Sequence, residues 1–237
     1  MTRKHKNKSN LGKTLKKVFL WTMAIFFGSS LFFTLLYRFI NPPVTPIMII
    51  RLFDQIKEDQ ALRLSKDWVD LEDISPKMVQ AVVAGEDNLF LTHHGFDWKA
   101  IERARQHNEN GKRIHGGSTI SQQTAKNVFL WPNRSYIRKG FEVYFTFLIE
   151  TLWPKERIME VYLNIIETGK GIYGVEMAAQ TYYHKSAKKL SSSQAAMITT
   201  ILPAPRKRNP SHPSSYMYRQ QARIQNLMRK IGPVHFH

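Results

Sequence analysis

The 237-residue sequence contains no cysteine, which excludes a disulfide framework and any Cys-ligated metal site. It is also poor in acid. Eighteen Asp and Glu stand against 35 Lys and Arg, leaving a formal charge of +17. That balance points to an anionic partner: nucleic acid, a membrane surface or a phosphate-bearing substrate. No internal repeat and no long alternating polar–apolar pattern is present, so a mostly helical chain is expected. No H-E-x-x-H or similar metal motif occurs. His93 and His94 lie side by side without a nearby acid or cysteine at ligand spacing, and they read as structural.

What the chain does contain begins with a basic tail. Residues 1–17 carry seven Lys and Arg and no acid. Residues 18–40 are then apolar over 23 positions, with Arg38 the one charge, which is long enough to cross the ~30 Å hydrocarbon core as a helix. A cleaved signal peptide is the competing reading. The run is longer than a signal core and no small-residue cleavage site follows, so an uncleaved anchor is expected. The positive-inside rule puts residues 1–17 in the cytoplasm and residues 41–237 on the other side.

Asn41-Pro42-Pro43 ends that helix. Residues 41–70 read as a linker and membrane-facing segment, with the apolar run 46–52 a short strand, a linker or a patch on the bilayer. Residues 71–237 read as one domain. Ser75 can cap and Pro76 can begin a helix that Gly85 terminates. Asp97 is a second candidate cap. The run from Thr119 to Gln122 matches a capping box, and so does the run from Ser191 to Gln194. Helical spacing recurs over 137–152, after Pro154, over 175–183 and over 216–231, where Gly232-Pro233 stops it. Residues 169–174 read as a loop. They satisfy G-x-G-x-x-G in form but lack the strand–turn–helix context of a dinucleotide site.

The candidates for chemistry cluster between Ala81 and Glu142. Glu86 follows an apolar helical run, where partial burial would raise its pKa toward useful proton transfer; the plainer reading is a solvated helix end. Gly116-Gly117-Ser118-Thr119 could aim helix N–H groups at an anion or simply form a tight turn. Lys126, Arg134, Arg138 and Lys139 surround Glu142. They are either a weak i,i+4 ion pair or a cationic pocket with one acid inside it.

Taken together, five blocks resemble the peptidoglycan glycosyltransferases of family 51: GEDNLFLTHHGFD (85–97), GGSTISQQTAKNVFL (116–130), RKGFE (138–142), KERIMEVYLNIIETGKGIYGVEMAA (155–179) and QAAMITTILPAP (194–205). The resemblance implies a mainly α fold: a lysozyme-like helical lobe with a smaller membrane-facing jaw, preceded by one transmembrane helix. It implies polymerisation of lipid II into β-1,4 glycan strands with inversion and release of undecaprenyl diphosphate. Glu86 matches the general base and Glu142 the second acid of the catalytic pair, whose role is either a metal contact or placement of the diphosphate. Lys126 and Arg134 match the cations that receive the diphosphate. Arg103, Gln122, Lys139 and Asn164 match further substrate-binding positions, Ser118 and Thr119 shape the cleft, and Asp87 holds the Glu86 loop. No cofactor is required by the resemblance, and a divalent cation (Mg or Mn) at the diphosphate is left open. The implied partners are lipid II, the lipid-linked glycan chain, the membrane, and cell-division or cell-wall synthesis proteins, with no nucleic acid. The implied location is the inner membrane with the catalytic domain periplasmic. Ser121 stands where many members have Thr. The sequence carries no transpeptidase domain up to His237, so polymerisation without cross-linking is expected. A glycan hydrolase and a lipid II-binding scaffold are the alternatives. The cationic set weighs against the hydrolase, which has no diphosphate to release.

Overall fold

The structure is a computed structural model that describes residues 3–99, 102, 117–133 and 135–236. Two compact units divide it, residues 1–41 and 42–237. The first is a single helix, α1 (Arg3–Phe39), so the basic tail and the apolar run form one continuous element. Its stretch Gly12–Phe39 is the one segment among the described residues long and apolar enough to cross a membrane.

The second unit starts at Pro42, and residues 42–70 belong to it instead of forming a linker. The apolar run after Pro43 is a helix, α2 (Pro46–Lys57), where a strand, linker or patch was expected. Thr45 accepts a hydrogen bond from the Met48 N–H at 3.4 Å, and Pro46 sits at the first turn, where a missing N–H costs nothing. Ile47 and Met48 are buried on the helix, which packs against the helix that begins at Ile120, while Ile49, Phe53 and Ile56 remain exposed. A seven-residue apolar run is too short to separate helix from strand by periodicity, so packing decides.

A short 3-10 turn (Leu71–Asp73) leads to α3 (Pro76–Glu86). Ser75 does not cap it; its hydroxyl donates to the Leu190 carbonyl at 3.0 Å. Gly85 does not terminate it either. The helix continues through Glu86, and a Cβ at Gly85 would meet Thr199 Cγ2 at 2.7 Å. Glycine is there because α3 packs closely against α8 (Ser192–Ile201) and α9 (Ser215–Ile231).

The chain then builds α4 (Ile120–Phe129), α5 (Tyr136–Leu152) and α6 (Lys155–Ile165). α4 packs on both α5 and α6. Both expected capping boxes form, Thr119 with Gln122 and Ser191 with Gln194. α6 is the centre of the core, with Ile158, Met159, Tyr162 and Leu163 fully buried. Full burial of each such side chain contributes about 1.5–3 kcal/mol.

Residues expected to be a loop form a hairpin, β2 (Glu167–Gly169) and β3 (Ile172–Tyr173), and β1 (Ser65–Lys66) pairs in parallel with β3. The sheet order is β1-β3-β2, and α7 (Val175–Tyr183) lies against it. The strands are two or three residues long, and β1 rests on a partner about a hundred positions away, which no local pattern announces. Gly174 opens α7 at φ +80°, and a Cβ there would meet the Asn164 carbonyl oxygen at 2.8 Å. Gly174→Ala is expected to cost about 2 kcal/mol, read as a fall in Tm of roughly 4–8 °C for the solubilised protein.

Candidate active site

The site is set by how α3 ends and α4 begins. Asp87 caps the C-terminus of α3 and turns its carboxylate inward. Its two oxygens accept from His93 Nε2 at 3.0 and 2.9 Å, and Oδ2 also accepts the Ile120 N–H at 3.0 Å. The Gly95 N–H donates to His93 Nδ1 at 3.1 Å, which makes Nε2 the protonated nitrogen of a neutral ring. His93 is therefore structural, as its spacing implies. Thr119 adds a second tie by donating to the Gly95 carbonyl at 2.7 Å. The start of α4 is thus bound to both ends of the loop that follows Glu86.

With that start fixed, one face of α4 is aimed at Glu86. Gln122 turns back to accept from the Thr119 N–H at 3.0 Å, and the next residue, Gln123, donates from Nε2 to Glu86 Oε2 at 2.9 Å. Tyr162, fully buried on α6, donates its hydroxyl to Gln123 Oε1 at 3.2 Å. This donation turns the amide N–H toward the glutamate. Gln123 was not among the expected site residues. Its signal in the sequence is its place one residue past a capping-box glutamine, three before Lys126 on the same face. Burial, the Glu86 carboxylate and Asp87 push the Tyr162 hydroxyl well above its ordinary value, so it remains a donor.

Glu86 still reaches solvent but is hemmed in by protein, and desolvation raises its pKa above the ordinary carboxylate value. The Gln123 hydrogen bond, Lys126 and Arg208 pull the other way, and Asp87 adds to the rise. Lys126, one turn along α4, is lowered by desolvation and by Arg138 and Lys139, against the pull of Glu142 and Glu86. It is held between the two acids.

Gln123, the partner of Glu86, lines a cavity of about 410 Å³ that Glu86 itself does not line, bounded by α2, α4, α5, the end of α6 and the segment after it, and the loop after α8. Ser118, Gln122, Lys126, Lys139 and Glu142 all line it, together with Arg138, Gln123, Arg51 and Glu167. On α5, Glu142 lies one turn past two cations. Oε2 accepts from Arg138 at 2.7 Å and Oε1 from Lys139 at 2.5 Å. A carboxylate bound on both oxygens by cations is a good anchor for them. Arg138 is buried and its Nε has no hydrogen-bond partner among the described residues. That orphaned donor is a place for an anionic ligand.

Asn164 is not part of this arrangement. Its amide accepts from the Val69 N–H at 3.0 Å and donates to the Val69 and Glu160 carbonyls at 2.9 Å each, with no exposure at all. An asparagine spent on main chain in this way clasps the 65–70 segment to α6, and it does not line the cavity that the other expected positions share. Thr119 is buried and capping, so it shapes the cleft from below. Arg103, Arg134, Gly116 and the loop 107–115 lie outside the described residues, as does most of the helix expected after Asp97.

A carboxylate of raised pKa near buried cations is an arrangement that suits transfer from a phosphorylated donor. The family model described as Transglycosylase matches residues 54–229. Among named relatives, the biosynthetic peptidoglycan transglycosylase of Bdellovibrio bacteriovorus is 52% identical over 221 residues, covering 93% of this chain and 88% of that protein. Proteins of the same name from Bacteroides thetaiotaomicron and Caulobacter vibrioides are 50% and 47% identical. They cover 90% of this chain in each case, and 87% and 90% of themselves. The chain belongs to the transglycosylase family.

Asn164→Ala is expected to destabilise the unit by about 1–3 kcal/mol, since it strands a buried N–H and two carbonyls. Denaturant unfolding measures this; unchanged stability with lost substrate binding would restore Asn164 to the site.

Proposed function

We propose that this chain polymerises lipid II, with Glu86 as the general base and the Lys126 cavity as the seat of the leaving diphosphate. The observation that carries the reading is the Glu86 carboxylate, raised by burial and held by Gln123, which stands about one turn before Lys126 on α4. The acceptor's sugar 4-hydroxyl loses its proton to Glu86 as its oxygen attacks C1 of the lipid-linked donor. The C1–O bond to the diphosphate breaks on the opposite face and the anomeric centre inverts. A carboxylate with a raised pKa is a better base for a sugar hydroxyl than a solvated one.

The developing charge on the diphosphate falls on Lys126, with Arg138 and Lys139 across the cavity and Arg134 assigned by resemblance. Diphosphate binding restores the Lys126 charge that desolvation weakens. Glu142, neutralised on both oxygens, fixes the positions of Arg138 and Lys139 and does not move a proton. Ser118 lines the same cavity, and Gln122 sets α4 in register. A divalent cation would have to displace Lys139 or Arg138 to reach the Glu142 carboxylate. Among the described residues no three His, Cys, Asp or Glu side chains converge elsewhere. No step is routed through a metal.

A lipid-linked substrate stays at the membrane, which fits a chain carrying one membrane-length apolar helix. The seven Lys and Arg of residues 1–17 favour a cytoplasmic N-terminus and a catalytic unit outside the cytoplasm, at the inner membrane.

Labelled lipid II incubated with the detergent-solubilised protein is expected to give a ladder of polymer. Glu86→Gln should abolish the ladder and leave Tm unchanged; retained turnover above a few per cent would remove Glu86 as base. Lys126→Ala is expected to lower kcat by about 10²–10³ with little loss of Tm. The acid limb of the pH–rate profile, where Glu86 becomes protonated and activity falls, should lie above the ordinary carboxylate value of about 4.3. Gln123→Leu deletes a hydrogen bond to the charged form and should shift that limb to higher pH. A limb unmoved by this change would detach Gln123 from the base.

A further inference from the structure

The hairpin between β2 and β3 presents a lysine that the reaction does not use. Lys170 is exposed and flanked by Gly169 and Gly171. A Cβ at Gly169 would overlap the Tyr182 hydroxyl, and one at Gly171, where φ is +67°, would overlap the Arg63 carbonyl. The hairpin is therefore locked on both sides and Lys170 projects from a fixed base. The glycine pattern that resembles a nucleotide loop is explained by this packing.

Around Lys170 lies a second cavity of about 390 Å³, lined also by Arg63, Tyr182, Arg206, Lys207 and Arg208. No carboxylate lines it among the described residues. Several of its cations are held in place. The Arg63 main chain is gripped at both polar groups by the Gln55 amide, at 2.7 and 3.1 Å. The Arg208 guanidinium donates to the Thr200 carbonyl and sits 5.0 Å from the Tyr216 ring centroid. Arg206 lies 3.7 Å from Glu58 and also acts electrostatically on Glu167.

This cavity neighbours the reaction cavity. Pro205 lines both, and a small depression between their walls shares Arg51 and Glu167 with the first and Lys170 and Arg206 with the second. A ligand that occupies both is an extended one, with negative charge at intervals. We propose that the second cavity is a carboxylate subsite that holds the peptide stems of the growing strand. This rests on the reading of the chain as a lipid II polymerase. The diphosphate is accounted for in the first cavity, and the anionic groups left on a peptidoglycan strand are the carboxylates of its peptides. Guanidinium forks pair with carboxylates through two parallel hydrogen bonds, and three of the five cations here are arginine.

The test is binding of a soluble glycan oligomer with free stem carboxylates, compared with the same oligomer fully amidated, to the full-length protein in detergent. Wild type should bind the free-acid oligomer about tenfold more tightly, and the preference should disappear in Lys170→Gln combined with Arg206→Gln. Equal binding of both oligomers by wild type would overturn the proposal, and so would a preference that survives the double substitution. Phosphatidylglycerol vesicles form a second arm. A double variant that loses vesicle binding but keeps the oligomer preference would make the cavity a lipid-headgroup site and sink the carboxylate assignment. Lipid II polymerisation is followed in the same preparations. Absence of polymer from wild type refutes the polymerase reading, whereas polymer without a carboxylate preference refutes the subsite alone.

Discussion

Asp87 holds the active geometry together. Its carboxylate joins the end of α3, the His93 ring and the first N–H of α4, three groups that arrive from different parts of the sequence. Each bond is charge-assisted and buried, where such bonds are strongest and an unpaired partner most costly. Because α4 starts where Asp87 fixes it, Gln123 meets Glu86 and Lys126 follows one turn later. The residue next to the reacting carboxylate thus does none of the chemistry and determines where the chemistry happens.

Around that fixed point the protein manages charge by burial as much as by count. Glu86 and Lys126 are pushed toward neutrality by desolvation from opposite directions, and each is partly restored by the other. A base and a cation so placed are tuned together: a change to one moves the proton affinity of the other. Tyr162 and Gln123 extend this tuning into the core, since a buried hydroxyl with a high pKa donates reliably and keeps the amide oriented. The acid-poor composition has its local counterpart here, where cations line the cavity and the few acids are placed against them.

Local chemistry was legible and tertiary chemistry was not. Thr119 and Gln122 could be read as a capping box because the bond closes within four residues. Proline at 154 and glycine at 232 bounded helices for reasons internal to the backbone. Glu86 and the cations Lys126 and Lys139 were singled out because family resemblance supplied what spacing left open, and the structure brings the two lysines to one cavity. Gln123 was missed because its partner is 37 positions away and a glutamine on a helix face has no signature of its own. Asn164 was assigned to substrate because an asparagine in a matched block looks functional; only its saturation by Val69 and Glu160 reveals a clasp. Gly85 looked like a helix end, and its real constraint is the Thr199 methyl on a helix more than a hundred residues later.

The pairing of Glu142 with Arg138 and Lys139 bears on how the enzyme lets go. The reaction cavity's four Lys and Arg side chains are countered by two carboxylates, Glu142 and Glu167, so its excess of charge is moderate. Four unopposed cations would grip the departed diphosphate as firmly as the transition state, and stabilisation shared equally by both does not quicken turnover. An acid built into an anion site limits product inhibition: it trades ground-state affinity for escape of the spent lipid carrier, which has to be vacated before the next round of elongation.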